Sequence, residues 1–447
     1  MTSSAPQHST RPMVRVVVVN FDGGDVTRRC IDSLLATNYP ADRLEIVVVD
    51  NASVDGFNWV LREEYPQVRL IQSDTNEGFA RGCNLAMRDL DGIDHVALIN
   101  NDALVDPDWL EPLLVPMADP TVGAVVPKLL LNVWAHAVTL RTDRLHRLAD
   151  DRLVGARVLR VEIDGVDRTE WVRFDERFWP DDPDDPGRWS KGFASVWWPA
   201  TDEPRDVRLT VVGATDVEVQ LGTPTEPVSH SVGREPTTLP CVTSQRVRIV
   251  NSAGGGLFKG WFGGDRGFLE PDLGQYDEPA EVFAWCGGAV LLRTAYLRDV
   301  GLFDPTYFLY YEDFDLSWRG HSSGWTYRYE PSSVVFHEHA YSSKAGSSFF
   351  RFWVDRNRRL TLVKNAPAKV AVRACVGAVK EATFDLAQHV YHQARRLRPP
   401  SPDATREIVK PVVSLAGALP SALRERRRLA RRRTVSHAEI ERWTITK

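Results

Sequence analysis

Four apolar runs rich in β-branched residues, at Val14–Asn20, Leu44–Val49, Val68–Gln72 and His95–Ile99, alternate with stretches of helical spacing, and this rhythm constrains the chain more than any other feature. Helices are expected at Val26–Leu35, at Phe57–Tyr65 and, after the stretch Asn76–Asn84 leads into it, up to about Asp89. Near-continuous apolar strands are covered on both faces, so the alternation predicts an α/β domain built on a mostly parallel sheet. Ligands of such sheets gather at the carboxyl ends of the strands. The polar residues found there, Asn20, Asp50-Asn51-Ala52-Ser53 and Asn100-Asn101-Asp102, are candidates for function. Each is also ordinary turn and helix-capping chemistry.

From about Arg152 to Arg248 the period changes to two. Leu159, Val161 and Ile163 alternate with Arg160, Glu162 and Asp164, and the same holds around Val207–Val211 and Val217–Leu221. With turns rich in Pro and Gly, this predicts an antiparallel, sandwich-like β unit inserted into the α/β domain. Its tryptophans, Trp171, Trp179, Trp189, Trp197 and Trp198, fit a core better than a carbohydrate platform. The acidic segment 181–187 reads as a solvated loop rather than a calcium site. Strand character returns at Ala284–Leu292, followed by a short helix from Thr294. A further helix at Tyr310–Arg319 opens on carboxylates, where the helix dipole favours them. Asp315 and Arg319, four residues apart, read as a surface ion pair. The expected divisions are a disordered lead (1–13), the first α/β half (14–132), the β insert (133–246), the second α/β half (247–366) and a basic helical tail (367–447), with the apolar run at Val412–Leu419 stopped by Pro420.

A net charge of −5 argues against a general nucleic-acid binder, although arginines crowd the C-terminus at Arg395-Arg396, Arg424, Arg426–Arg428 and Arg431–Arg433. That basic tail is a candidate for peripheral contact with an anionic leaflet. The five cysteines show neither metal nor disulfide spacing, which fits a reducing cytoplasm. No apolar run reaches bilayer length, and the first twelve residues lack the apolar core of a signal peptide.

Taken in order, Asn20, Asp50-Asn51, Asn76-x-Gly78-Phe79-Ala80-x-Gly82-x-Asn84, Asn100-Asn101-Asp102, Tyr311-Glu312-Asp313-x-Asp315-Leu316 and His337-Glu338-His339 resemble the blocks of family 2 glycosyltransferases. The bacterial rhamnosyltransferase-like and galactofuranosyltransferase-like members are the most similar, over about residues 14–132 and 247–365. The resemblance implies the Rossmann-like GT-A fold. It also implies inverting transfer of a sugar from a dTDP- or UDP-linked donor to a hydroxyl of a cell-envelope glycan or lipid-linked acceptor, with Mg²⁺ or Mn²⁺ as cofactor. By the same resemblance Asp313 is the base and Asp102 and His337 bind the metal. Asn20, Asp50, Asn76, Gly78, Arg81, Asn100 and Asn101 surround the donor nucleotide. Trp285, Gly287, Gly288 and Glu312 line the sugar and acceptor pocket, and His339 lies beside the metal or acceptor.

Elementary chemistry agrees with these roles: a carboxylate suits a hydroxyl proton, and oxygen ligands suit a hard cation that offsets diphosphate charge. Asn100 stands where the family usually carries the first Asp of a D-x-D, and it removes one charge. That departure and the β insert admit a second reading, a catalytically degenerate carbohydrate-binding or scaffold protein. A nucleotidyltransferase is disfavoured, because no lysine-rich glycine loop follows the first strand.

Overall fold

The computed structural model describes residues 11–180, 186–201, 206–338, 347–395 and 397–445. Two compact units are present: Met1–Leu129, Ala253–Arg266 and Glu278–Lys447 form the first, and Leu130–Ser252 with Gly267–Asp277 the second.

In the first unit the apolar runs become β1 (Val14–Asn20), β2 (Leu44–Asp50), β3 (Arg69–Gln72) and β4 (His95–Ile99). They lie parallel in the order β3-β2-β1-β4. The connecting helices are α1 (Gly24–Leu35), α2 (Phe57–Glu64) and α3 (Gly78–Ala86). Val16, Val18 and Val48 pack with Ile31, Leu34, Phe57 and Leu61 in one core. Their neighbours Val17, Val47 and Val49 are equally buried, so both faces are covered and the strands read as unbroken apolar runs.

Beyond β4 come β5 (Ala103–Val105), α4 (Leu110–Leu114) and the long β6 (Val122–Thr142), which runs without a break through the division expected at 132. Later β7 (Ala289–Arg293) inserts antiparallel between β4 and β6. It is followed by α5 (Thr294–Val300), α6 (Glu312–Ser322) and β8 (Thr326–His337), which pairs antiparallel with β5. This is a Rossmann-like architecture, a mostly parallel sheet with antiparallel additions.

The unit closes with α7 (Ser348–Asn365), α8 (Ala368–Arg395) and α9 (Pro402–Arg432). α9 continues through Pro411 and Pro420. It buries Leu415, Ala418, Ala422 and Leu429 along its length, and tertiary packing of that kind outweighs local helix propensity. Among the described residues no helix is long and apolar enough to cross a membrane.

The second unit is antiparallel. Ala156–Ile163 pairs with Val207–Gly213, and that strand with Thr237–Pro240. Phe193–Pro199 and Val217–Gly222 pair with the later part of β6. A register irregularity opposite Thr210 and Val211 turns Val158, rather than Leu159, into the core beside Val161 and Ile163. Trp189, Trp197 and Trp198 are buried, Trp179 is half-buried and Trp171 exposed. The acidic positions 181–185 lie outside the described residues.

Candidate functional site

The parallel register sets Asn20 opposite Asp50 at the ends of β1 and β2. Asn20 is fully buried. Its Nδ2 donates to Asp50 Oδ1 (3.2 Å) and Ser53 Oγ (3.1 Å), and its Oδ1 accepts from Gly23 N (3.3 Å), Thr27 Oγ1 (2.7 Å) and Asn101 Nδ2 (3.4 Å). Its hydrogen-bonding capacity is spent on the protein, which corrects the expected nucleotide contact: Asn20 fastens strand ends, α1 and the 100–102 turn together. Asn101 shares that role through Thr27 Oγ1 (3.0 Å). Asp50 is buried too, and its Oδ2 has no partner among the described residues, an acceptor that costs about 1–3 kcal/mol to leave unpaired.

Asn51, given no role by the sequence reading, clamps the turn into α3. Its Nδ2 donates to Gly78 O (2.9 Å) and its Oδ1 accepts from Glu77 N (3.3 Å), while Asn76 Oδ1 accepts from Gly78 N (2.9 Å). Its place directly after a strand-end Asp was the available signal. Gly78 has φ +73°, and a Cβ there would lie 2.2 Å from Phe308 O, so no other residue fits. Arg81 is exposed; it donates to Pro305 O (2.9 Å) and Glu77 (3.2 Å), and with Asn76, Thr306 and Trp353 lines a cavity of about 510 Å³.

Pairing of β5 with β8 sets Ala103 opposite His337, which brings His337 to Asp102 across 235 positions of sequence. His337 Nε2 lies 2.8 Å from Asp102 Oδ1 and 3.2 Å from Asn100 Nδ2, and both Asp102 and His337 are buried. One ring nitrogen cannot donate to the carboxylate and accept from the amide at once. A divalent cation removes that conflict if Asn100 turns its oxygen inward. One carboxylate, one imidazole and one amide oxygen then fit Mg²⁺ or Mn²⁺, leaving positions for phosphate oxygens. Among the described residues no group of three His, Cys, Asp or Glu gathers, and the two ionisable ligands found here are Asp102 and His337. His339 lies outside the described residues.

Asn100 also joins this pair to Asp313. Asn100 N donates to Gly288 O (3.0 Å), and Gly287 N donates to Asp313 Oδ2 (2.9 Å). A Cβ on Gly287 would press on the Phe79 ring at 3.2 Å. Asp313 stands in the first turn of α6, its Oδ1 accepting from Phe314 N (2.7 Å). The turn before it is strained: Tyr310 and Tyr311 have φ +68° and +69°, held by Asn357 Nδ2 on Leu309 O (2.9 Å) and Tyr310 O (2.8 Å). Burial raises the Asp313 carboxyl, although that residue keeps a partly exposed edge. Burial and the neighbouring Asp313 charge push Glu312 well above its usual range, and Glu312 Oε2 has no partner among the described residues.

The sign of that shift is testable. The native state keeps Glu312 neutral where the unfolded chain ionises it. Stability is therefore full below the ordinary value of 4.5 and declines as pH rises above it. Glu312→Gln is expected to raise Tm near pH 8 and leave it unchanged near pH 4, about half a unit below that value. An equal shift at both would contradict the assignment.

Two expectations are corrected. Trp285 is 1% exposed and its ring packs on Phe303, so it belongs to the core and does not stack on a sugar. Asp315 and Arg319 form a buried pair (Nε–Oδ2 3.0 Å), not a surface one, because Lys364 and Asn365 of α7 close over Asp315.

Residues 15–160 match the family model described as glycosyl transferase family 2. Over those residues the chain is similar to family 2 glycosyltransferases. The match includes β2–β6 and all but the first residue of β1, and extends into the second unit. The chain is 35% identical over 141 residues to the O-antigen biosynthesis protein RfbC of Myxococcus xanthus, covering 29% of this chain and 11% of that one. It is 43% identical over 68 residues to the N-acetylglucosaminyl-diphospho-decaprenol L-rhamnosyltransferase of Mycobacterium tuberculosis, covering 15% of this chain and 22% of that one. The chain thus spans a minor part of the length of these relatives. Among solved structures it is similar to GalNAc-T7 with UDP, GalNAc and Mn²⁺, at 12% identity and a TM-score of 0.45, covering 92% of this chain and 57% of that one.

Proposed function

We propose that this chain transfers a sugar from a nucleoside diphosphate donor to a hydroxyl of a cell-envelope glycan or a lipid-linked acceptor, with inversion at the anomeric carbon. The observation that carries the reading is the continuous set Asp102, His337, Asn100, Gly288, Gly287 and Asp313, in which a cation-binding pair and a raised carboxylate meet at the end of β4. Asp313 in its ionised form takes the proton of the acceptor hydroxyl as that oxygen attacks the anomeric carbon. The bond from that carbon to the diphosphate oxygen breaks as the new one forms, and a single base on one side supports a single displacement. A backbone N–H from Gly287 fixes Asp313 Oδ2 and leaves its remaining lone pairs for the acceptor.

Asp102, His337 and the Asn100 oxygen would hold Mg²⁺ or Mn²⁺, which when bound neutralises charge on the departing diphosphate. Asp50, Asn76, Gly78 and Arg81 are assigned to the donor side, with Gly287, Gly288 and Glu312 on the sugar and acceptor side. A dTDP- or UDP-linked donor rests on the resemblance of the motif blocks. Five free thiols support a reducing, cytoplasmic setting.

Calorimetric titration of nucleoside diphosphates tests the proposal. Binding is expected to need Mn²⁺, and Asp102→Ala is expected to weaken it by at least the 10–100-fold typical of disturbing the surroundings of a metal ligand. Equal binding with a chelator present, or an unchanged affinity in the variant, would overturn the metal assignment.

A further inference from the structure

The helices after Asn365 carry basic residues of two kinds. Three of the seven α9 arginines are spent on the protein: Arg426 donates to Val363 O (2.8 Å), Arg432 pairs with Asp299 (2.7 Å) and Arg428 with Glu425 (2.6 Å), and Arg433, just past the helix, donates to Asn365 O (3.2 Å). α8 differs. It packs through Ala371 and Ala378, which are buried. On the opposite side Val372, Val376, Val379 and Phe384 are 47–62% exposed.

At 100° per residue the three valines form one stripe, and Phe384 lies beside it in a row with Lys369, Arg373 and Lys380. None of those cations has an ion-pair or hydrogen-bond partner among the described residues. The acidic residues do not cancel them, since Glu381 is paired with Arg359 and Asp385 projects about 140° from the valine stripe. An apolar stripe edged by unpaired cations on a helix of 28 residues is the pattern of a helix lying in a headgroup layer, with lysine stems along the apolar surface and their charges at the phosphates.

We propose that the outward face of α8 docks on an anionic phospholipid surface. Charge complementarity selects this occupant. A second copy of the chain would set the same cations against one another, whereas an anionic leaflet attracts each of them. The inference is independent of sugar transfer, and its test reads binding alone.

Co-sedimentation of the full chain with vesicles is the experiment, using phosphatidylcholine alone or with about a third phosphatidylglycerol. The chain is expected to bind the anionic vesicles, to leave the neutral ones in solution, and to bind less as salt rises. The triple variant Lys369→Gln, Arg373→Gln, Lys380→Gln is expected to weaken binding on the order of a hundredfold, roughly fivefold per charge. Val376→Ser with Phe384→Ser is expected to weaken it without changing Tm, since both positions are exposed. Several results would overturn the proposal: no binding to anionic vesicles; equal binding to both kinds; loss of binding in Arg427→Gln with Arg431→Gln but not in the α8 variants; or a dimer in light scattering that Val376→Ser with Phe384→Ser converts to monomer.

Discussion

Asp313→Asn is expected to lower the rate of sugar transfer on the order of 10²–10⁴-fold, the usual contribution of a positioned general base, while nucleotide affinity stays near that of the unaltered chain. Asn keeps the shape of the side chain, and its one oxygen can still accept from Gly287 N, so the glycine pair before β7 stays in place while the contact with Phe314 N is given up. What disappears is the capacity to hold the acceptor proton. The pH profile supplies an independent reading. Because burial raises this carboxyl, the rate should fall with decreasing pH from a point above the ordinary aspartate range, as protonation silences the base. A variant that transfers sugar as fast as the original would remove Asp313 from the mechanism.

Lys364→Ala should cost about 3–5 kcal/mol of stability, the typical price of leaving buried charge uncompensated. Lys364 is fully buried and its Nζ lies 2.7 Å from both Asp304 Oδ2 and Asp315 Oδ2. Asp315 accepts further from Arg319 Nε (3.0 Å) and Asn365 Nδ2 (2.8 Å), so the cluster ties α6 to α7 and to the 303–307 loop. Burial alone would raise the Asp304 carboxyl, but the Lys364 ammonium together with the hydrogen bonds from Thr306 outweighs it and holds the group at about 2. Its stabilising share is therefore present above the ordinary value of 3.8 and is lost as pH falls from there toward about 2. Denaturant melts of the variant read the loss directly, and a midpoint equal to that of the unaltered chain would show that the cluster contributes nothing. The cluster also bears on catalysis, because the helix it anchors carries Asp313.

The parallel sheet was legible because strands covered on both faces must be apolar at every position, as at Val16–Val19 and Val47–Val49. The antiparallel unit was legible by its period, except where an irregularity exchanged Leu159 for Val158, which alternation alone cannot reveal. The site was harder. Nothing local to His337 says that it meets Asp102; the β5–β8 register brings them together, and the order of the motif blocks was the only pointer. Spacing of four between Asp315 and Arg319 is the same on a wet or a dry helix face, and Lys364, some 49 positions away, decides which it is. Asn20 belonged to a motif block and still faces inward, because five hydrogen bonds among strand ends use all it has. Trp285, beside two glycines, reads as a platform until Phe303 covers it.

The most direct test of the central claim is to mix the full chain with a panel of nucleoside diphosphate sugars, with Mn²⁺ or with a chelator, and to measure released nucleoside diphosphate. The account predicts release from at least one donor, dependent on Mn²⁺ and abolished by Asp313→Asn. Glycan binding without release from any donor, as a degenerate scaffold would give, or release indifferent to the chelator, would contradict it.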